Sequence, residues 1–326
     1  MEEKIDGNPL LKINGLALGF GSGSYLPVKS LDLELGQGEV AGLVGESGSG
    51  KSLTAFALMD ILPYGATVRK GEILFQGENI LEYSAKKRRE LCGKKMGMIF
   101  QEPLSALNPV LTIGDQVSEI FRHRLKTGKK EARERALELL SRVGLPNPGS
   151  AYESYPHRFS GGMRQRVVIA MALALNPDLV VADEPTTALD PTIALQIIKL
   201  LKDLTAGKKT GVLFITHNLR LLEGLAERIF VMYAGLVLEE TAGGLKDPLH
   251  PYTLGLVKAL PPGPSEKTGK TMIPIPGQAP SPGDILPGCP FAPRCLDRFQ
   301  LCLEELPELH LLSGGRRARC HKYRPC

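Results

Sequence analysis

The segment Gly45-Glu46-Ser47-Gly48-Ser49-Gly50-Lys51-Ser52 constrains this chain more than any other stretch. It has the spacing G-x-x-x-x-G-K-[ST], follows the short apolar run Val40–Val44 and leads into an apolar helical stretch from Leu53. Strand, glycine-rich loop and helix in that order turn backbone N–H groups toward one point at a helix N-terminus, which is a phosphate site. Gly45 to Leu53 therefore form the expected phosphate cradle. Lys51 is expected to reach the β- and γ-phosphates, and Ser52 to ligate Mg²⁺.

The surrounding sequence reads as an α/β unit over residues 1–240. Short runs at 40–44, 98–100, 179–182, 212–216 and 229–233 are apolar throughout, as strands buried on both faces of a parallel sheet are. After Asp190-Pro191, the residues Ile193, Ile197, Leu200, Leu201 and Leu204 mark one helical face, with Pro191 in the first turn and Gly207 at the stop. Residues 11–35 and 71–79 read as antiparallel strands, and Gln76-Gly77-Glu78-Asn79 is turn chemistry. Residues 104–175 read mostly as helix. The basic runs at 86–89 and 122–135 read as solvated helix surface.

Two further motifs bear on phosphate chemistry. The run Leu179-Val180-Val181-Ala182 ends in Asp183-Glu184. After a P-loop, the first carboxylate is placed to hold Mg²⁺ and the second to polarise an attacking water. Ser160-Gly161-Gly162-Met163 opens a helix running to Leu175. It reads either as a serine cap with a glycine turn or as a second anion site. A cap alone does not explain why a chain with one P-loop carries a second such site.

These motifs, with Gln101, Ala188-Leu189-Asp190 and His217 in that order, resemble the ATP-binding-cassette (ABC) ATPases over nearly the whole chain. The resemblance implies a parallel-sheet core, an antiparallel β-subdomain and a helical subdomain. It implies head-to-tail dimers in which Ser160, Gly161, Gly162 and Met163 close over the nucleotide held by the other cassette. It also implies that Gln101 senses Mg²⁺ and couples to the permease, that His217 contacts the γ-phosphate and that Asp190 lies at the dimer seam. An aromatic residue stacks on adenine in the family; Phe20 fits that role, with Tyr25 as the alternative.

Narrower features resemble the dipeptide and oligopeptide importer branch: the run from Gln101 to Pro109, Phe159 before the signature serine, and His250-Pro251-Tyr252-Thr253. Relatives in that branch also carry nickel or metal chelates. The expected partners are two integral-membrane permease subunits, a second ABC ATPase that is a homologous chain, and an extracytoplasmic substrate-binding protein. The expected location is the cytoplasmic face of the inner membrane. Soluble repair or translation ATPases are a rival reading. Ser52 and Ser160 are only 108 positions apart, too few for the coiled-coil insertion of repair types, and translation types usually carry two cassettes.

Composition narrows the field further. A net charge of +5 and no tryptophan argue against a nucleic-acid-coating protein. The longest strongly apolar run, residues 167–175, is far short of the ~20 residues a membrane-spanning helix needs. The first residues lack an apolar signal core, so a reducing compartment is expected.

Residues 241–326 read as a separate extension. Ten prolines between residues 261 and 293 exclude helix interior and central strand, so an extended arm is expected. Cys289, Cys295, Cys302 and Cys320 follow, separated by five, six and seventeen residues. That spacing by itself selects neither zinc nor an iron–sulfur centre. Members of the branch the chain resembles hold a [4Fe–4S] cluster on four cysteines in this pattern, so the resemblance assigns these four to one. Cys326 is expected to be a free thiol. Arg316, Arg317, Arg319, Lys322 and Arg324 neutralise cluster charge, lie near lipid headgroups or serve solubility. A redox-sensing role for the tail is a third reading of the chain.

Overall fold

The computed structural model describes residues 8–21, 23, 25–187, 189–242, 244, 247–261, 272–281, 283–284 and 286–324. Ala188, Cys326 and residues 262–271, 282 and 285 of the proline-rich arm thus lie outside the described residues. By contact density the described residues divide into two units. One lies within 1–35, 40–81 and 216–326, the other within 36–39 and 82–215.

The chain opens in the first unit with β1 (Leu11–Phe20), β2 (Val28–Leu35), β3 (Val40–Val44), α1 (Lys51–Leu58), β4 (Ala66–Phe75) and β5 (Glu78–Asn79). The second unit carries α2 (Ala85–Lys94), β6 (Met96–Ile99), α3 (Pro103–Ala106), α4 (Ile113–Arg124), α5 (Lys129–Arg142), α6 (Pro148–Tyr152), α7 (Gly161–Leu173), β7 (Leu179–Asp183), α8 (Pro191–Thr205) and β8 (Gly211–Thr216). The chain returns to the first unit with β9 (Arg228–Tyr233), β10 (Leu236–Ala242), α9 (Pro251–Ala259), α10 (Leu301–Glu304), β11 (His310–Leu311) and β12 (Arg317–Ala318).

In the first unit the strand order is β5-β4-β1-β2-β10-β9-β3. β1 runs antiparallel to β2 and β4, β9 runs antiparallel to β10, and β3 runs parallel to β9. Gln76 and Gly77 both take positive φ, so the expected turn closes the β4–β5 hairpin at Phe75↔Glu78. In the second unit β6, β7 and β8 are parallel neighbours. All residues of β7 and β8 are buried, which accounts for their uninterrupted apolar sequence. Four longer or shorter helices, α4 to α7, follow one another through the stretch read as helical.

Two readings need correction. The strand expected at 98–100 is β6, two residues earlier at its start. The buried face of α8 is Ala194, Ile197, Ile198, Leu201 and Thr205; Ile193, Leu200 and Leu204 are only half-buried. Small Ala194 and Thr205 carry little hydropathic signal, so the large leucines drew the face one position aside. β10 is an additional strand, and its sequence contains Glu239 and Glu240. Both carboxylates are nevertheless buried. Arg316 stands 3.8 Å from Glu239, while Arg228 and Arg317 each stand 3.4 Å from Glu240.

The tail is not a free-standing appendage. β12 pairs antiparallel with β10 through Glu239↔Ala318 and Glu240↔Arg317, and β11 pairs with β12. The basic residues near Cys320 are engaged: Lys322 with Asp297 at 2.6 Å, Arg324 with Glu305 at 3.6 Å, and Arg319 with the carbonyls of Val237 and Pro307. Their charges cross-link the tail to itself and to β10.

Candidate nucleotide site and cysteine cavity

The phosphate loop spans Gly45–Ser52 between β3 and α1. Gly48 and Gly50 have φ of 79° and 107°. At Gly50 a Cβ would also stand 2.8 Å from the Pro27 carbonyl, so only glycine turns the loop into α1 here. No side chain caps α1, which leaves its first-turn N–H groups for an anion. Lys51 is buried inside the loop. Its Nζ donates to the carbonyls of Gly45 and Glu46, each at 2.8 Å, and to Ser49 Oγ at 3.3 Å. Leu53 follows on α1 and is half-buried.

In the second unit β7 ends at the buried Asp183, and Glu184 takes a left-handed backbone with φ of 46°. Such a conformation costs a non-glycine residue on the order of 1–3 kcal/mol and is held here by its N–H donating to Ile215 of β8 at 2.9 Å. Glu184 Oε2 accepts from Gln101 Nε2 at 3.2 Å and from Thr187 Oγ1 at 2.7 Å. Gln101 and Glu184 are thus brought together. Thr187 was missed, although it lies only three residues on, because a lone threonine carries no motif signal.

Ser160 is the N-cap of α7, accepting from Met163 N–H at 3.4 Å. Gly161 and Gly162 open the helix, and a Cβ on Gly162 would meet Ile193 Cγ2 at 2.7 Å. This glycine is therefore required for α7 to approach α8, whatever else it does. Asp190 caps α8, its Oδ1 accepting from the N–H groups of Thr192 and Ile193 at 3.1 and 3.0 Å. His217 is exposed directly after β8, so it is not a core histidine. Phe20 and Tyr25 lie side by side, with ring centroids 5.7 Å apart.

The four cysteines assigned by resemblance line one cavity, together with His250, Phe291, Ala292, Phe299 and Lys322. Among the described residues, however, no three of His, Cys, Asp or Glu are gathered as a ready metal-ligand set. Burial pushes the Cys289 thiol up to about 12, so it is protonated near neutrality. Burial likewise raises Cys295 and Cys320. Four soft sulfur donors suit zinc or an iron–sulfur centre in kind. Loading would have to deprotonate them and draw them inward.

His250-Pro251-Tyr252-Thr253 has a structural meaning. Glu239 accepts from the N–H groups of Leu249 and His250 at 2.9 and 2.7 Å. His250 Nδ1 then accepts from Tyr252 N–H at 3.0 Å, capping α9. Burial lowers the His250 pKa to about 3, and the Lys322 charge adds to it. A neutral folded-state imidazole with an ordinary unfolded value contributes stability that is complete above pH ~6.5 and is lost as pH falls toward 3. Moving from ~pH 7.5 to ~pH 5.5 is expected to remove on the order of 1 kcal/mol through this group. Thermal melts of wild type and His250→Asn at both values check it: Asn caps without titrating, so the acid-induced loss should shrink by that amount.

Comparison with known proteins agrees with this arrangement. The ABC transporter family model matches residues 28–187, and the model for the oligopeptide/dipeptide transporter C-terminal region matches residues 239–302. The dipeptide transport ATP-binding protein DppD of Escherichia coli (strain K12) is 42% identical over 316 residues, covering 96% of each chain. The oligopeptide transport ATP-binding protein AppD of Bacillus subtilis (strain 168) is 43% identical over 301 residues, covering 91% of this chain and 90% of that one. Among solved structures, the ADP- and phosphate-bound dimer of the cassette MJ0796 superposes with a TM-score of 0.64 at 28% identity, over 71% of this chain and 98% of that one. A phosphate loop, a strand-end carboxylate pair and a C-terminal region of one transporter branch occur in one chain, and relatives match it over nearly its whole length. The chain therefore belongs to the ABC transporter ATPases, in their oligopeptide/dipeptide branch.

Proposed function

We propose that this chain is the ATP-hydrolysing subunit of an importer for di- or oligopeptides, working with separate permease subunits at the cytoplasmic face of the inner membrane. The observation that carries the cargo class is the transporter-specific region at 239–302, which named dipeptide and oligopeptide transport relatives share over nearly their whole length. Among the described residues no helix is long and apolar enough to cross a membrane, consistent with permeases supplied in trans. Leu104, Val110 and Leu111 are exposed on the segment after Gln101, apolar surface suited to a partner.

In this reading the P-loop N–H groups and Lys51 bind the phosphates. Ser52, Asp183 and Gln101 are hard-oxygen donors of the kind Mg²⁺ selects. Glu184, oriented by Gln101 and Thr187, polarises the attacking water, and His217 contacts the γ-phosphate. Phe20 and Tyr25 offer stacking faces to adenine. Ser160, Gly161, Gly162, Met163 and Asp190 act on the nucleotide of a partner cassette, as the family resemblance implies for a head-to-tail dimer. We divide the chain functionally into the cassette, 1–240, and the extension, 241–326. We assign Cys289, Cys295, Cys302 and Cys320 to a [4Fe–4S] cluster, supported by their shared cavity and by the family resemblance; such a cluster supplies a rigid cross-link.

Reconstitution of the chain with its permease subunits, companion ATPase and substrate-binding protein in liposomes tests the reading. Di- or tripeptides are expected to raise ATPase activity several-fold and to accumulate inside. Stimulation by nickel chelates in place of peptides would transfer the protein to the metal-importer alternative.

A further inference from the structure

The tail reaches the phosphate loop. Arg294 lies between Phe291 and Cys295, two residues that line the cysteine cavity. Its Nη1 donates to both carboxylate oxygens of Glu46 in the P-loop, at 3.1 and 2.9 Å, and to Tyr233 Oη at 3.1 Å. Its Nε donates to the Pro276 carbonyl at 2.9 Å, fixing the guanidinium from the other side. The Arg294 side chain is 7% exposed, so this pair is largely withdrawn from solvent. Glu46 is held a second time through its backbone, whose N–H donates to Tyr252 Oη at 3.0 Å. Tyr233 and Tyr252 are fully buried, with ring centroids 4.5 Å apart, and both pack on Phe291.

We propose that Arg294 is a positioning and charge-compensating residue of the phosphate loop, which makes the cysteine-rich tail part of the ATP-binding machinery. Two physical arguments support this. A loop of glycines and serines has many conformations, and its donors converge on phosphate only in a few of them. Anchoring Glu46 by side chain and backbone removes much of that freedom, and the Glu46 carbonyl is also one of the groups that holds Lys51 Nζ. The second argument is electrostatic. A carboxylate in a loop that receives a polyanion repels it, and a guanidinium whose Nη1 lies against both Glu46 oxygens while its Nε is held by the Pro276 carbonyl cancels that charge with fixed geometry. A lysine at 294 offers a point charge but not the second nitrogen that the Pro276 carbonyl holds.

The inference rests on the ATP-binding reading and on neither the cargo nor the cluster. The test is the affinity of the full-length, anaerobically purified chain for MgAMP-PNP in wild type, Glu46→Gln, Arg294→Met and the double variant, with Arg294→Lys alongside. Arg294→Met is expected to weaken binding at least about tenfold. Arg294→Lys should recover part of that loss. Adding Glu46→Gln to Arg294→Met should recover most of it, because the uncompensated carboxylate is gone. Steady-state ATPase should show the Arg294→Met defect in KM more than in kcat. Limited proteolysis and metal content report tail integrity independently. If losses at 46 and 294 simply add, or if Arg294→Met binds within twofold of wild type, the proposal is overturned. If Arg294→Met unfolds the tail, Arg294→Lys with and without Glu46→Gln supplies the same coupling measurement. A wild type that fails to bind MgAMP-PNP would instead overturn the ATP-binding reading.

Discussion

Glu184→Gln is expected to bind MgATP with near-native affinity and to lose turnover by about 10²- to 10⁴-fold, the range for removing a general base. The phosphate-binding groups, from Gly45 to Ser52, are untouched by the change. The backbone at position 184 is held by its N–H to Ile215, and an amide oxygen still accepts from Thr187 or Gln101, so the local fold should survive. What disappears is the carboxylate's capacity to take a proton from water. Thr187→Val is the informative companion. It deletes the 2.7 Å hydrogen bond but keeps the carboxylate, so it should lower kcat by roughly tenfold or less, with little change in KM. Single-turnover hydrolysis in the assembled transporter separates the two. Near-native hydrolysis by Glu184→Gln would show that the water is activated elsewhere.

The parts of this site that were legible in the sequence are the parts built from neighbours. Gly45–Ser52 and Asp183-Glu184 each sit at the end of a buried strand, and both strand and motif are contiguous in the chain. Likewise the turn at Gln76-Gly77 announces a two-residue hairpin by its residue types alone. Contacts between distant segments are another matter. Arg294 and Glu46 are 248 positions apart, and neither residue is unusual in its own neighbourhood. Glu239 and Glu240 are buried in β10 with cationic partners, Arg316 and Arg317, that arrive from the far end of the tail. Ser160 and Asp190 show a third limit. The structure accounts for both as helix caps, which is compatible with a role toward a partner's nucleotide but does not reveal it.

The tail carries the other large effect. Replacing any one of Cys289, Cys295, Cys302 or Cys320 by Ser is expected to release residues near 295–324 while α9 stays docked. The division follows from what holds each part. α9 is fixed by Glu239, by His250 and by Tyr252 on the aromatic cluster, none of which depends on sulfur. Beyond Phe291 the tail is tied to the rest of the first unit by Arg294 on Glu46, by two residue pairs of β12 with β10, by Arg316 and Arg317 on Glu239 and Glu240, and by the Arg319 contacts. The backbone bond from Cys289 N–H to the Cys302 carbonyl at 2.8 Å links the tail only to itself. A segment this short has no core of its own. A centre on four thiolates supplies the missing cross-link, and structural metals in small domains contribute roughly 10–16 kcal/mol to folding. Because β10 already shares the load, losing the centre should unfold the tail locally, leave the second unit native and cost the P-loop no more than the Arg294 clamp. Nucleotide affinity should then fall no further than in Arg294→Met, since that clamp is the tail's hold on the loop. Cys92→Ser, on α2 in the second unit, should change nothing. Iron, sulfide and zinc analysis of anaerobically purified protein, with limited proteolysis of each variant, gives the reading. About one zinc and no acid-labile sulfide per chain would replace the cluster with a zinc site, and a metal-free tail that still resists protease would show that the sheet pairing alone suffices.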